Sequence, residues 1–397
     1  MIEPLIGGII GSLIGLVLGI IPGLHTNLLV PLIFFIKNKM FAFILLGALV
    51  SMNFFEFIKT MLLNAPNEGE VLALHPIQRM IAYGRGNEVI TLVAIGCLGG
   101  LFLSILFFPI ELKIIPFIYN EIRQFIPYFL LFISLHLIFK EKKIISALLI
   151  FILSGIIGKI NFSLNLKEPF LPLLTGLFGV SSLLNNILKN IEKLPSQMKR
   201  IVVELDEKSI VKSIGNGFLS ASLLSFIPAI GPAQASMLSN DIIKNKNKSV
   251  FERDKEFIIS VASINTCDVI FSLAAFLSIN KARSGVIEGI SKIMNLQNNV
   301  FYLLLTIMIS GILAFFLYKK TGYYLLNKFQ NINIRKLSYA VIAFIFAFVL
   351  IMDSWKGLFI LISSSFLGYF CIKKEIAMTN LMGSLIIPTI IFYLKVL

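Results

Sequence analysis

Two otherwise apolar runs each carry an asparagine and a carboxylate three residues apart. Ser51-Met52-Asn53-Phe54-Phe55-Glu56 lies in one and Ser263-Ile264-Asn265-Thr266-Cys267-Asp268 in the other; both read Ser-apolar-Asn-x-x-acid. At positions i and i+3 the asparagine and the acid share one helix face. A charge within a membrane span is costly and faces a cavity or a partner. Asn53, Glu56, Asn265 and Asp268 are therefore read as a site for a coupling cation or proton. The local reading is that Glu56 pairs with Lys59 one turn on and that Asp268 snorkels to an interface.

A run broken by proline and glycine precedes each of these segments, at 5–36 (Pro22-Gly23) and at 213–243 (Pro228 to Pro232). Proline removes a helix hydrogen bond and glycine tolerates a turn, so each run is expected to bend at its middle. A kinked span is the plain form, and a re-entrant hairpin the sharper one. Gly11, Gly15 and Gly19 stand at the same offsets before Pro22 as Gly217, Ala221 and Ser225 before Pro228. Small residues at every fourth position let helices approach closely in lipid.

The second arm of such a hairpin begins with unpartnered backbone N–H groups and the positive end of a helix dipole, which together suit an anion. The groups at the first tip are Gly23, His25, Thr26 and Asn27, and at the second Gly231, Gln234 and Ser236. Acids beside such a site repel an anion unless they are protonated or hold a cation, and that requirement couples the two. His25 has three readings: a donor to the anion, a proton carrier, or a cap on hairpin backbone.

The elements that position these residues are membrane spans. Of 397 residues 57% are hydrophobic and 14% charged, with a mean hydropathy of +0.90, whereas soluble domains carry about 25% charged residues. Spans are expected near 40–63, 88–110, 125–139, 144–158 and 168–188, then near 256–280, 299–318, 337–352, 357–372 and 376–394. The net charge of +14 is spread over short loops rather than along one face, which fits membrane orientation and argues against nucleic acid.

Lys199, Arg200, Lys208 and Lys212 precede the second broken run, and Lys244, Lys246, Lys248, Arg253 and Lys255 follow it. Both of its ends therefore read as cytoplasmic, as a hairpin requires. Counting outward puts most Lys and Arg inside and gives the two hairpins opposite entry sides. The expected fold is an all-α polytopic membrane protein of two inverted repeats, each a re-entrant helical hairpin plus about five transmembrane helices. The first repeat is 1–188, a basic cytoplasmic connector is 189–212, and the second repeat is 213–397.

Cys97, Cys267 and Cys371 are far apart and imply neither disulfides nor a metal site, and His25, His75 and His136 form no metal cluster. No cofactor is expected. The N-terminus lacks the features of a cleaved signal peptide, so its first apolar run is expected to belong to the mature protein.

Several motifs resemble a known family. Gly15-x-x-x-Gly19-Ile20-Ile21-Pro22-Gly23-Leu24-His25-Thr26-Asn27 resembles the first signature of the TctA family, the large membrane subunit of tripartite tricarboxylate transporters. The likeness continues through Leu62-Leu63-Asn64-Ala65-Pro66-Asn67, His75-Pro76-Ile77-Gln78-Arg79-Met80-Ile81-Ala82-Tyr83-Gly84-Arg85-Gly86 and the small pair Gly99-Gly100. It returns at Leu174-Thr175-Gly176-Leu177-Phe178-Gly179 and at Pro228 to Gly231. These matches cover about the first 100 residues and about 170–270.

The resemblance implies secondary transport of carboxylates in a cell membrane, in bacteria with a small membrane subunit and an extracytoplasmic binding protein. It implies binding roles for Pro22, Gly23, Thr26, Asn27, Asn64, Pro66, Pro228, Gly231 and Ser236. His25 replaces a further glycine of the family, Ala229 stands at the second Pro-Gly, and Asn280-Lys281-Ala282-Arg283 replaces a Pro-Gly turn. The chain thus looks like a distant, stand-alone branch of archaeal type. Its expected partners are a small anionic substrate, a coupling cation or proton and membrane lipid; a homodimer is left open.

Two other readings stand beside carboxylate transport. A polyprenyl-phosphate translocase uses the same kind of inverted Pro-Gly hairpins, with Arg79, Arg85 and Arg123 as phosphate partners. A groove open to lipid favours that reading, and a closed polar site favours a soluble anion. An intramembrane protease would use Gly179-Val180-Ser181-Ser182 with His136, but such a tetrapeptide is common by chance, and neither His-Glu-x-x-His nor Gly-x-Gly-Asp is present.

Overall fold

A computed structural model describes residues 2–396 except 37, 190–192, 199–202, 225–230, 244–247, 282 and 331. Pro228 and Ala229, expected at the second tip, lie outside the described residues. Among the described residues the chain is helical, without strands. α1 (Ile2–Ile20) meets the Pro22-Gly23 turn, where Gly23 takes a φ of +87° that side chains disfavour. Thr26–Phe34 is then a 3-10 helix rather than a second α-helical arm. α2 (Lys39–Leu63) starts on Asn38, whose side chain accepts from Met40 N at 3.0 Å, and ends on Asn64 in the left-handed region (φ 53°).

A turn of 3-10 helix, Val71–Ala73, leads into α3 (Leu74–Ala82) and α4 (Gly86–Ile122). α5 (Ile126–Phe139) follows through one 3-10 turn, so 86–139 form an almost unbroken apolar rod of 54 residues where two separate spans were expected. Next come α6 (Ile144–Ser163), α7 (Phe170–Leu174), a π-helical turn at Thr175–Val180 and α8 (Ser181–Leu188).

The second half has α9 (Glu207–Leu224), α10 (Pro232–Ile243) and α11 (Val250–Ile279). α11 opens with a reciprocal Ser249/Glu252 capping box and ends on Asn280, again left-handed (φ 52°). α12 (Gly285–Ile293), α13 (Val300–Phe329), α14 (Ile334–Lys373) and, after a 3-10 turn, α15 (Gly383–Val396) complete the chain. α14 contains both expected spans 337–352 and 357–372, joined through Ser354, whose φ of 59° breaks the helix between them. α9 begins within the stretch assigned to the connector, which is therefore shorter than expected.

Eight helical segments among the described residues are long and apolar enough to cross a membrane. α1 is one of them, at 19 residues, so it is longer than a half-crossing arm. Burial ranks them: 94% of the α11 span and 83% of the α2 span lie inside the protein, against 22% for α14. The helices bearing the Asn-x-x-acid motifs are therefore the innermost.

Small residues set their neighbours. A Cβ added at Gly11 or Gly15 of α1 would strike the α2 backbone at Ile44 O or Ala48 O, and Ser51 Oγ donates to Ser12 O at 2.8 Å across the same seam. Gly217 of α9 and Gly96 and Gly100 of α4 make equally close approaches to α11, at Ser260, Ile259 and Ser263. The contacts also cross between halves. α2 lies against α13 and α11 against α4; α12 meets the 3-10 helix 26–34, and α10 meets the 3-10 turn 71–73.

Candidate functional site

α2 and α11 meet at their asparagines: Asn53 Nδ2 donates to Asn265 O at 2.9 Å. Beside this contact lies a cavity of about 690 Å³. It is lined by the first tip (Gly23, His25, Asn27), by Gly231 and Pro232 at the start of α10, and by Asn53, Glu56, Asn265 and Asp268. Loops 67–70 and 283–285, the Glu168–Thr175 segment and part of α15 close the remaining sides.

The first tip is capped from within. His25 Nδ1 accepts from Asn27 N at 3.2 Å and His25 O accepts from Leu28 N at 3.0 Å, so His25 satisfies the start of the 3-10 helix. Asn27 Oδ1 is buried with no hydrogen-bond partner among the described residues. At the start of α10, Gly231 N donates to Gln234 Oε1 at 2.9 Å, and the Glu68 carboxylate rests against Gly231. A carboxylate of the chain itself thus occupies the space in front of α10.

Glu56 accepts a short hydrogen bond from Asn67 Nδ2, and Lys59 Nζ lies 3.7 Å from its Oε1. The same Asn67 donates its backbone N–H to Glu70 Oε2 at 2.8 Å, and Asn265 Nδ2 donates to Glu70 Oε1 at 2.8 Å. Loop 67–70 reaches across to α11 because Gly69 has no side chain; a Cβ there would stand 2.6 Å from Asn265 Oδ1. The loop after α11 makes the reciprocal crossing. Its Arg283 guanidinium is 3.4 Å from Asp268 Oδ1, and Gly285 packs on the Asn27 side chain.

Of the residues singled out in the sequence, Gly23, His25, Asn27, Asn53, Glu56, Gly231, Asn265 and Asp268 line this one cavity. Pro22, Thr26 and Pro66 are buried behind it. Asn64 caps α2 and donates to Asn186 Oδ1 at 3.0 Å. Gln234 and Ser236 turn back on their own helix, to Gly231 N and to Pro232 O at 2.7 Å.

Four lining residues, Glu68, Glu70, Glu168 and Arg283, were not singled out as site residues. Glu68 and Glu70 directly follow the quoted Asn64–Asn67 motif and flank a glycine, the one local signal available. Arg283 stood out only as a departure from a family turn. The lining carries the carboxyls of Glu56, Glu68, Glu70, Glu168 and Asp268 against the guanidinium of Arg283, with the Lys59 ammonium close behind Glu56.

The other chemistries have no comparable site. Arg79 pairs with Asp254 at 2.9 Å and Arg85 with Glu88 at 2.9 Å, both away from the cavity, and Arg123 is exposed. Ser181 Oγ donates to Leu177 O at 2.6 Å, while His136 lies 3.9 Å from Asp241. No group of three or more His, Cys, Asp or Glu among the described residues is arranged to hold a metal.

Among the described residues, eight helical segments long and apolar enough to cross a membrane, with five carboxyls and a guanidinium lining one cavity beside the two most buried of them, make a multi-pass membrane protein. The family model "Tripartite tricarboxylate transporter TctA family" matches residues 5–383. The chain belongs to that family, whose members are transporters rather than enzymes. It is 29% identical over 367 residues to an uncharacterized protein, MJ1079, of the prokaryote Methanocaldococcus jannaschii, covering 88% of each chain. No solved structure matches the chain.

Proposed function

We propose that the protein is a secondary transporter that carries a small carboxylate anion across the cell membrane, driven by a cation or proton. One observation carries this reading: the first proline-glycine tip, Gly231 and Pro232 at the start of α10, and both Asn-x-x-acid helices border a single cavity. The crosswise pairing of α2 with α13 and of α11 with α4 is what a twofold axis between two inverted units would generate. We therefore keep the division into units 1–188 and 213–397, each introduced by a broken run.

The charge arrangement supports a place for the anion. The space before α10 already holds the Glu68 carboxylate. The first tip instead lies by the loop that carries Arg283, Ser284 and Gly285, so a substrate carboxylate there would meet a guanidinium, which it shares with Asp268, and polar backbone. Asn53, Glu56, Asn265 and Asp268 then serve the coupling ion. Pro22, Gly23, His25, Thr26 and Asn27 shape the first tip, Asn64 and Pro66 hold the acidic loop, and Pro228, Gly231, Gln234 and Ser236 form the second. The polyprenyl-phosphate reading has less support, because Arg79 and Arg85 are paired elsewhere and Arg123 is exposed and does not line the cavity.

The test is uptake of labelled citrate and succinate into proteoliposomes holding this chain alone. Saturable uptake, weakened by Arg283→Met and made independent of the driving ion by Glu56→Gln, is the expected outcome. Absence of uptake of any di- or tricarboxylate by the wild type, alone and with added partner subunits, would remove the proposal. Uptake that appears only with a small membrane subunit and an extracytoplasmic binding protein would remove its stand-alone character.

A further inference from the structure

The two motif acids share a feature beyond their spacing: each has a cation of the chain beside it. Lys59 comes from the same helix as Glu56 and Arg283 from the loop after α11, at 3.7 and 3.4 Å from their respective carboxylate oxygens. Lys59 is 2% exposed, and its Nζ has no hydrogen-bond acceptor among the described residues. A buried ammonium whose donors are unmet is not held in place by hydrogen bonding; its role there is its charge. The groups facing it are Glu56 on its own helix and, around the same cavity, Glu70 and Glu68 from loop 67–70, His25 from the first tip, and Asp268 with Arg283 from the second half.

We propose that Lys59 and Arg283 are built-in counter-cations that take the places an alkali ion would fill, leaving a proton shared by Glu56 and Glu70 as the coupling ion. The proposal rests on reading this cavity as the transport site. Glu56 and Glu70 both accept from Asn67, one from its side chain and one from its backbone, which sets the two carboxyl groups side by side. Two carboxyl groups so close hold one proton between them, because like charges do not both persist at that distance. With that proton and the Lys59 charge, the Glu56–Glu70 pair is neutral; Asp268 is paired with Arg283, and Glu68, against Gly231, and Glu168 stand outside the pair. Within the pair a sodium ion would add a second positive charge beside the Lys59 ammonium, while loss of the proton would leave one negative charge that Lys59 does not balance. The proton is therefore the charge that can leave and return.

The experiment is the thermal unfolding midpoint of the purified full chain in NaCl, KCl and choline chloride at equal ionic strength. It requires no substrate, so its failure is separate from a failure of the uptake assay. A ligand that binds the native state raises the midpoint by mass action. The wild type is expected to melt at the same temperature in all three salts; a sodium-specific rise of several degrees would overturn the proposal. Lys59→Met empties the cationic place and is expected to gain a sodium-specific rise of several degrees. A folded Lys59→Met protein indifferent to sodium would also overturn it. If Lys59→Met yields no folded protein, the wild-type comparison decides alone, in either direction.

Discussion

α2 and α11 end alike and are followed by loops of opposite character. Each carries its Asn-x-x-acid face into the cavity, each stops on a left-handed asparagine, and each sends the following loop across to the other half. The loop after α2 is acidic, with Glu68 at Gly231 and Glu70 on Asn265; the loop after α11 is basic, with Arg283 on Asp268. Similar helix geometry with reversed charge polarises one cavity. One end presents a guanidinium and the other a group of carboxyls, a polarity that a symmetric pair of loops would not provide.

The comparison can be broken most directly at its charges. Arg283→Met is expected to weaken carboxylate binding by about a hundredfold, since truncating a desolvated charge costs about 2–5 kcal/mol; isothermal titration with citrate or succinate measures it. If Glu68→Gln weakens binding as much, the proposed polarity is wrong, because Glu68 belongs to the end that repels an anion. Gly69→Ala comes next. Its Cβ would meet Asn265 Oδ1, and an overpacked contact of this kind costs about 1–3 kcal/mol. A lower unfolding midpoint, together with loss of proton-driven accumulation, is expected.

Smaller effects sharpen the same contrast. Asn64→Ala loses both a left-handed cap and the bond to buried Asn186, whereas Asn280→Ala loses the left-handed preference at an exposed position. The second is expected to cost about 1–2 kcal/mol, and the first more, as compared by denaturant unfolding in detergent. Equal costs would show that the α2 cap does not hold the acidic loop. Asn280→Gly, which removes the Cβ penalty, is expected to cost less than Asn280→Ala by the same measure.

Much of this was legible in the sequence because lipid imposes simple patterns. Long apolar runs had to be helices, and Pro22-Gly23 had to end α1 near where it does. Glycines at every fourth position had to meet a neighbour closely, and a carboxylate in an apolar helix had to face inward. Bends without a strong local signature were not legible. α4 continues through Pro109 and Pro116 to Ile122, and the 3-10 turn to α5 leaves hydrophobicity unchanged. The break at Ser354 divides α14 without a proline or a glycine at that residue. Nor was the reach of the loops legible. Glu70 and Asn265 are 195 residues apart in sequence, and no local pattern records that Gly69 lets them touch. His25 has a backbone role that spacing alone did not show, the cap its Nδ1 forms on Asn27 N, and it also lines the cavity.

On the proposed function, one cavity beside the first tip and the start of α10 holds a carboxylate and couples its passage to a proton through Glu56. Uptake of labelled citrate or succinate into proteoliposomes, with an inward proton gradient and no sodium, tests it most directly. The wild type is expected to concentrate the carboxylate above the outside level, while Glu56→Gln exchanges it across the membrane without concentrating it. Equal accumulation by the two proteins, or a wild type that accumulates only when sodium is supplied, would contradict it.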